Sequence, residues 1–284
     1  MLFSKTYFST QPIWEESDTI AFDELILSWN GIRPKQNTWT FWVSLHEGEW
    51  LKYAEWGPTN QRSFKSVGHF ASSSQDVVIP KEVCTHFRIK VEGEELESLH
   101  RLNVCLSNST HFAPTPPQNL PSVLLTNVLR QSQIALPHPR HRDLCSPTSL
   151  CNAINYPDPI SMASRVYDEA FDIYGNWILN VAEGYNQTQS PCQVERLLDF
   201  SSLHAQLMRG KPVVVSVKGT IPGAPIPYNR GHLICVVGYD ENKVHCIDPA
   251  FPNNDSTFVS YDLNDFLAAW GTRRHLAYTF LNIS

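Results

Sequence analysis

The segment Arg142–Leu150 reads RDLCSPTSL, in which a cysteine stands two positions before a proline and apolar residues follow. Proline is tolerated in the first turn of a helix, because its missing N–H group has no intrahelical partner there. The pattern therefore predicts a helix that begins close to Cys145. A helix N-terminus favours an anion, so this position suits a nucleophilic thiolate. The alternative is a buried structural cysteine, which is the usual state of a free thiol.

A second segment, Asn229–Pro249, reads NRGHLICVVGYDENKVHCIDP and predicts a β-hairpin that begins near His232 and ends at Asp248. A three-residue loop at 240–242 would place His232 and Asp248 diagonally on one face, whereas a two-residue loop would place them on opposite faces. An imidazole–carboxylate pair therefore requires an odd loop or a β-bulge in this hairpin. The alternative is a surface histidine followed by an Asp-Pro pair that ends the strand.

Taken together, the two segments predict a Cys/His/Asp arrangement for nucleophilic catalysis. In this hypothesis Cys145 is the nucleophile, His232 is its base and Asp248 orients the imidazole. A glutamine upstream of the cysteine is expected to donate to the oxyanion, together with the backbone amide of Cys145. The candidates are Gln131 and Gln133, of which Gln133 is preferred.

The composition of the 284-residue chain is typical of a folded protein, with 42% hydrophobic and 18% charged residues. Its net charge of −6 offers no basic field for nucleic acid or an anionic membrane. The seven cysteines include no CxxC pair, which disfavours a disulfide framework and a Cys-rich zinc site. Neither a signal peptide nor a transmembrane run is evident. We therefore predict a cytoplasmic protein with no cofactor, no metal and no membrane insertion; export by a route without a signal is the alternative.

The chain is predicted to hold two domains joined by a proline-rich linker. Residues 1–112 contain several short strand-like runs separated by turn residues, a pattern typical of a β-sandwich. Residues 113–122 carry four prolines and are predicted to be the linker. Residues 123–284 place helices before strands, which is an α+β order. The predicted helices of this part include Ser161–Asp172 and one or two helices across Cys192–Met208.

From about residue 120 to 281, the chain resembles the bacterial C39-like peptidase family, whose members have a papain-like fold. The resemblance implies a C39-like catalytic domain of helix plus antiparallel sheet in residues 123–284. It gives Cys145, His232, Asp248 and Gln133 the roles described above. The motifs that carry it follow one another in order: SQ at Ser132-Gln133, CSPTS at Cys145–Ser149, VYDEAF at Val166–Phe171, GNW at Gly175–Trp177, GKPVVVSV at Gly210–Val217, GHLICVVGYD at Gly231–Asp240, IDPAF at Ile247–Phe251 and YDLNDFLAAW at Tyr261–Trp270.

The resemblance also suggests residues that bind the substrate. Trp177, in the GNW motif, is predicted either to line the substrate cleft or to pack in the interior. Asn176 and Gly231 are further candidates for substrate binding. One departure from the family pattern is Leu144, because members usually carry an aromatic residue directly before the cysteine. We expect this change to reshape the cleft.

The leading interpretation is a cysteine peptidase-like hydrolase that cleaves peptide, isopeptide or related acyl bonds of a peptide or protein substrate. An acyl transferase or deamidase of the transglutaminase type would use the same residues, so that alternative stays open. A non-catalytic binding protein is the third reading, since residues 1–112 are rich in tryptophan and Trp42 lies on the polar face of its strand. In either case the N-terminal domain is a candidate to bind a protein or glycan. A metal site is disfavoured, because His232 and Cys235 would point to opposite faces of a strand.

Overall fold

A computed structural model describes residues 2–8, 11–111 and 120–281. The described residues divide into two compact units, and the predicted linker at 113–122 lies mostly outside them. The first unit takes its residues from Met1–Phe112, Arg165–Gln189 and Gln193–Glu195, and the second from Ala113–Ser164, Ser190–Cys192 and Arg196–Ser284. Arg165–Gln189, which the sequence assigned to the second domain, thus groups with the first unit.

The secondary structure mixes helices with antiparallel strands, as the predicted α+β class requires. The strands are β1 (Leu2–Phe8), β2 (Ile13–Glu16), β3 (Glu24–Gly31), β4 (Trp39–His46), β5 (Glu49–Trp56), β6 (Gln61–Ser63), β7 (Ser66–Val67), β8 (Ala71–Ser74), β9 (Val77–Pro80), β10 (Phe87–Glu92), β11 (Leu99–Ser107), β12 (Val123–Leu124), β13 (Cys192–Arg196), β14 (Val213–Gly219), β15 (Tyr228–Asp240), β16 (Lys243–Ile247), β17 (Phe258–Asp262) and β18 (Leu276–Phe280). The helices are α1 (Cys145–Ile154), α2 (Pro159–Val166), α3 (Trp177–Thr188), α4 (Phe200–Met208) and α5 (Leu263–Gly271).

The first unit contains two antiparallel sheets, ordered β1-β11-β3-β9-β8-β7 and β2-β10-β4-β5-β6. Their inner faces meet through aromatic side chains, because Trp29 on β3 stacks on Phe41 on β4 with ring centroids 3.9 Å apart. Trp39 and Trp56 are also fully buried. Along β4 the residues from Trp39 to Val43 alternate between buried and half-buried positions, with Trp42 half-buried, and the alternation ends at Ser44, which is also buried. Most tryptophans of this unit therefore form its core.

Helix α3 packs on β3 within the first unit. The Asn176 side chain caps its N-terminus by accepting a hydrogen bond of 3.2 Å from the Leu179 amide. Farther along the helix, the fully buried Glu183 carboxylate accepts two hydrogen bonds, of 2.9 and 3.1 Å, from the Arg33 guanidinium. Arg33 follows β3 in the sequence, so this buried ion pair attaches α3 to the β-strands of residues 1–112.

In the second unit, an antiparallel sheet runs in the order β18-β14-β15-β16-β17, and β12 pairs with β15. Helix α1 contacts β15, where Ser149 Oγ donates to the Leu233 carbonyl at 2.8 Å. Helices α4 and α5 pack on a buried cluster that includes Val215, Ile234 and Val236. The sheet thereby holds α1, which begins at Cys145, against β15, which contains His232.

Two predicted helices differ from the observed elements. The helix expected over Ser161–Asp172 ends at Val166, and Asp168 instead accepts a hydrogen bond of 2.7 Å from Asn176 inside the first unit. Residues 192–196 form strand β13, and α4 begins only at Phe200, after its cap Asp199. Tertiary context overrides local propensity in both places.

Helix α3 was not predicted, because its sequence WILNVAEGYNQT contains glycine and several polar residues that weaken the helical pattern. Among the described residues, no helix combines the length and the apolar character needed to cross a membrane.

Candidate active site

Cys145 is the first residue of α1, so the predicted helix start at the cysteine is confirmed. The thiol is half-buried, and Leu144 directly before it is fully buried. Other cysteines of this unit lie in the interior, and burial raises the pKa of the thiols of Cys151, Cys235 and Cys246. These three thiols stay protonated near neutral pH and are poor nucleophiles.

The hairpin of β15 and β16 turns through only two residues, Glu241 and Asn242, whose φ angles are 43° and 71°. Two successive residues in the left-handed region are characteristic of a type I′ turn, which matches the twist of the flanking strands. Of the two loop lengths that the sequence left open, the hairpin has the two-residue one. By itself this turn would put His232 and Asp248 on opposite faces of the hairpin.

A β-bulge in β15 corrects the register. The pairing with β16 shifts by one residue between Val236 and Gly238, so that Cys235 pairs with Ile247. Asp248 follows Ile247 directly and reaches the face on which His232 lies. A β-bulge was the second arrangement predicted to bring the imidazole and the carboxylate together, and it is the one observed.

His232 Nε2 and Asp248 Oδ1 lie 2.8 Å apart, and both side chains are buried. The other ring nitrogen, Nδ1, is left without a bond to Asp248, and Cys145 lies close enough to add to the electrostatic environment of the imidazole. Burial opposes protonation of His232, but the charge and hydrogen bond of Asp248, aided by Cys145, outweigh it and raise the pKa of the imidazole to about 10. The imidazolium form is therefore favoured at neutral pH.

Two tyrosines that the sequence analysis missed hold the carboxylate. Asp248 Oδ2 accepts hydrogen bonds from the hydroxyls of Tyr228 at 2.5 Å and Tyr261 at 2.6 Å. Oδ1 also accepts from the Ala250 amide at 3.0 Å. Burial would raise the pKa of Asp248, but the His232 charge and these hydrogen bonds hold it below its usual range. The ring of Tyr228 additionally stacks on the imidazole, with centroids 4.1 Å apart.

Both phenols act as neutral donors, because burial and the Asp248 charge raise the pKa of Tyr228 and of Tyr261. Tyr228 stands four positions before the histidine, and Tyr261 lies on β17, which pairs with the strand that ends at the aspartate. A search for hydroxyl donors on the strands beside the predicted pair would have found them.

The structure separates the two glutamine candidates. Gln131 turns away and donates to the Pro157 carbonyl at 2.9 Å. Gln133 is buried beside the turn before Cys145, where its Nε2 donates to the backbone carbonyls of residues 141 and 142 at 3.1 and 2.8 Å. Both hydrogens of this amide are engaged in this conformation, so donation to an oxyanion would require one of them to be released. The oxyanion role of Gln133 stays a prediction.

A sequence model described as the Peptidase_C39 like family matches residues 125–278, which is more than half of the chain. The chain belongs to this family. The match confirms the predicted resemblance and contains Cys145, His232, Asp248 and Gln133. One solved structure with detectable similarity is a candidate C39-like peptidase from Bacillus anthracis, at 19% identity over 58% of this chain and 99% of that chain, with a TM-score of 0.45. No curated protein matches the chain.

Three further candidates lie within the range matched to the C39-like family. Asn176, besides capping α3, is fully buried and donates to Asp168. The Trp177 amide donates to Asp76 at 3.0 Å, and these four residues all belong to the first unit. Gly231 precedes the histidine with a φ of 94°, a conformation that favours glycine. Contact of Asn176, Trp177 and Gly231 with substrate stays a prediction, whereas their structural contacts are direct observations.

Proposed function

We propose that the chain is a cysteine peptidase-like hydrolase, in which Cys145 is the nucleophile, His232 the proton carrier and Asp248 the residue that orients the imidazole. The observation that carries this proposal is the buried 2.8 Å pair of His232 and Asp248, with Cys145 close enough to help raise the pKa of the same imidazole. The proposal includes a papain-like fold for the second unit and a β-sandwich, as an accessory domain, for the first. Membership in the C39-like family supports the class of reaction.

The proposed reaction begins with a thiolate–imidazolium pair, which the raised pKa of His232 favours at neutral pH. The Cys145 thiolate attacks the carbonyl carbon of the scissile amide, and the oxyanion forms near the N-terminus of α1, where the Cys145 amide is a candidate donor. The C–N bond then breaks as His232 transfers its Nδ1 proton to the leaving amine. An acyl thioester on Cys145 and a neutral imidazole remain.

The second half of the reaction restores the enzyme. Neutral His232 accepts a proton from water as the water oxygen attacks the thioester carbon. The C–S bond breaks, the carboxylic acid product leaves and the thiolate–imidazolium pair forms again. Asp248 stays ionised throughout, because the two tyrosine hydroxyls, the Ala250 amide and the imidazole satisfy its oxygens. It therefore fixes the ring so that Nδ1 points towards the thiol.

The decisive experiment is alkylation with iodoacetamide at pH 6 to 7, followed by peptide mapping of all cysteines. We expect selective modification of Cys145, and loss of that selectivity in His232→Ala. His245→Ala is a matched control, because His245 lies on the same hairpin and contacts Ser260 rather than the thiol. Uniform slow labelling of several cysteines, unchanged in His232→Ala, would contradict an activated pair.

A peptide screen then tests the reaction itself. Cleavage that disappears in Cys145→Ala, while that variant keeps the wild-type unfolding midpoint, would identify the hydrolase. Addition of a primary amine distinguishes hydrolysis from acyl transfer, because transfer yields an amide in place of the free acid. An absence of any acyl product with a selectively reactive Cys145 would favour a binding role for the fold.

A further inference from the structure

The ring of Tyr228 lies on the imidazole of His232, although four positions separate the two residues along β15. Their ring centroids are 4.1 Å apart, and the ring planes are inclined to each other by only 23°. A regular strand rises about 3.3 Å per residue, so residues four positions apart would have Cα atoms about 13 Å apart. Two side chains at that spacing do not stack, so β15 is shortened between Tyr228 and His232.

The pairing of β15 with β14 contains this shortening. His232 pairs with Val217 and Tyr228 pairs with Gly219, so residues 229–231 lie opposite a single residue of β14. Tyr228 and His232 are therefore opposite positions only two apart on β14, which is a rise of about 7 Å. The two residues that follow Tyr228 are exposed, whereas Tyr228 and His232 are buried. The bulge thus turns its own residues towards solvent and brings the two rings together.

Gly231 is the last residue of this bulge, directly before the histidine. Its φ of 94° lies in the left-handed region, which glycine adopts without strain. A Cβ added at this position would meet no atom closer than 3.8 Å. The requirement for glycine therefore comes from the backbone conformation of the bulge and not from a close approach of another group.

Tyr228 contacts both members of the His232–Asp248 pair. Its hydroxyl donates to Asp248 Oδ2 at 2.5 Å, and its ring covers one face of the imidazole. Tyr261 donates to the same oxygen at 2.6 Å. Among the ring contacts of residues 120–281, however, only that of Tyr228 is made with this imidazole. The hydrogen bond to the carboxylate is thus common to both tyrosines, whereas the stacking contact is specific to Tyr228.

The imidazole needs a second restraint besides its hydrogen bond to Asp248. The torsion that turns a histidine ring has a broad energy profile, and one hydrogen bond at Nε2 fixes that nitrogen but lets the ring tilt about it. An aromatic ring packed on the imidazole face limits this tilt. A reacting group that is held in one orientation by packing avoids the entropic cost of finding that orientation in each turnover.

We infer that Tyr228 is a positioning residue, whose ring is carried onto the imidazole by the bulge at residues 229–231 and fixes the orientation in which His232 serves Cys145. This inference rests on the proposed hydrolase function. It assigns the positioning to the ring of Tyr228 and not to its hydroxyl.

The test is the iodoacetamide rate at Cys145 at pH 8.5 divided by the rate at pH 6. The ratio is a few-fold when an imidazolium keeps the thiolate populated and on the order of 100 for an ordinary thiol. Tyr228→Leu removes the ring and should raise the ratio at least about tenfold above the wild-type value, towards that of an ordinary thiol. Tyr228→Phe keeps the ring, so its ratio should stay within about twofold of the wild-type value.

The same two substitutions at Tyr261 are the matched control, because they remove an equivalent hydrogen bond to Asp248 Oδ2 without removing a ring from the imidazole. Tyr261→Leu should therefore give the same ratio as Tyr261→Phe. Unfolding midpoints establish that each variant is folded at both pH values. Equal ratios in Tyr228→Leu and Tyr228→Phe, or an equal rise in Tyr261→Leu, would overturn the inference and leave the hydrolase proposal standing. A wild-type ratio near that of an ordinary thiol would overturn the hydrolase proposal itself.

A second pair of variants tests the bulge without removing any side chain. Gly231→Ala strains the left-handed backbone before His232 and should raise the ratio in the same direction as Tyr228→Leu. Gly210→Ala is its control, because Gly210 follows α4, has a φ of 75° and also has open space around it. Its ratio should equal that of the wild-type protein. An unchanged ratio in Gly231→Ala would overturn the role given to the bulge.

Discussion

Replacement of Asp248 by asparagine should change the pH dependence of Cys145 reactivity without a change in side-chain size. Asp248 supplies the negative charge and the hydrogen bond that raise the pKa of His232 from 6.5 to about 10. In Asp248→Asn the charge is lost and only a neutral amide oxygen remains to accept from Nε2, so burial, which lowers the pKa of this imidazole, is opposed far more weakly. The imidazole of the variant should therefore be neutral at pH values where the wild-type ring is charged.

The expected size of the effect follows from thiol ionisation. An ordinary cysteine with a pKa near 8.5 is ionised to about one part in 300 at pH 6 and to about one half at pH 8.5. In Asp248→Asn the alkylation rate should therefore rise on the order of 100-fold between these pH values. In the wild-type protein His232 keeps its proton up to about pH 10, so if the proposed thiolate–imidazolium pair forms, the rate should change only a few-fold.

The assay compares pseudo-first-order iodoacetamide rates at Cys145 from pH 5.5 to 9, with mass spectrometry of the labelled peptide. Within one protein the ratio of rates cancels any difference in intrinsic nucleophilicity between the two thiolates. Superimposable profiles for wild type and Asp248→Asn would refute the electrostatic role of the aspartate. A steep wild-type profile, like that of a free thiol, would refute the thiolate–imidazolium pair.

Three further predictions concern stability. Tyr261→Phe removes a hydrogen bond to the charged Asp248 carboxylate and should lower the free energy of unfolding by about 1.5–3 kcal/mol, measured by urea denaturation; an unchanged midpoint would contradict this. Arg33→Gln leaves the buried Glu183 carboxylate without this arginine and should lower the free energy of unfolding by about 3–5 kcal/mol. Arg62→Gln breaks an ion pair whose arginine is 45% exposed and should lower the same free energy by under about 1 kcal/mol. Equal losses would show that burial of the pair is unimportant. The raised pKa of His232 contributes stability that is complete below pH 6.5 and disappears as the pH rises through about 10, so the unfolding free energy should fall across that interval, and a flat profile would disprove the contribution.

Much of the site could be predicted from local sequence. Pro147 in the first turn fixed the helix start at Cys145, and the hairpin placed the histidine and aspartate at its two ends. Loop length could not be predicted, because Glu241 and Asn242 adopt the left-handed conformation only as part of the turn. The bulge at Val237 that compensates for it depends on pairing across the sheet, which no single strand encodes.

Other errors have the same origin in tertiary contacts. The segment after Val166 has the composition of a helix, yet the buried Asp168 accepts hydrogen bonds from Ser63, which is distant in the sequence, and from Asn176 at the start of α3. Helix α3 has a weak helical pattern of its own, and its stability comes from packing on β3 and from the Arg33–Glu183 pair. The Asp168 hydrogen bonds and the Arg33–Glu183 ion pair cannot be predicted from composition, because the residues that form them look like ordinary polar residues in the sequence.

The grouping of Arg165–Gln189 with the first unit has a consequence for any attempt to separate the two halves of the chain. A fragment that starts at residue 120 keeps all of the C39-like match but contains Glu183 without Arg33. It also exposes the apolar side of α3, including Ile178 and Val181, which are fully buried in the intact protein. No single cut divides the chain into two self-sufficient pieces. The N-terminal residues supply the strand and the arginine that α3 contacts, although α3 lies within the range matched to the C39-like family, so a fragment made for study needs those residues as well.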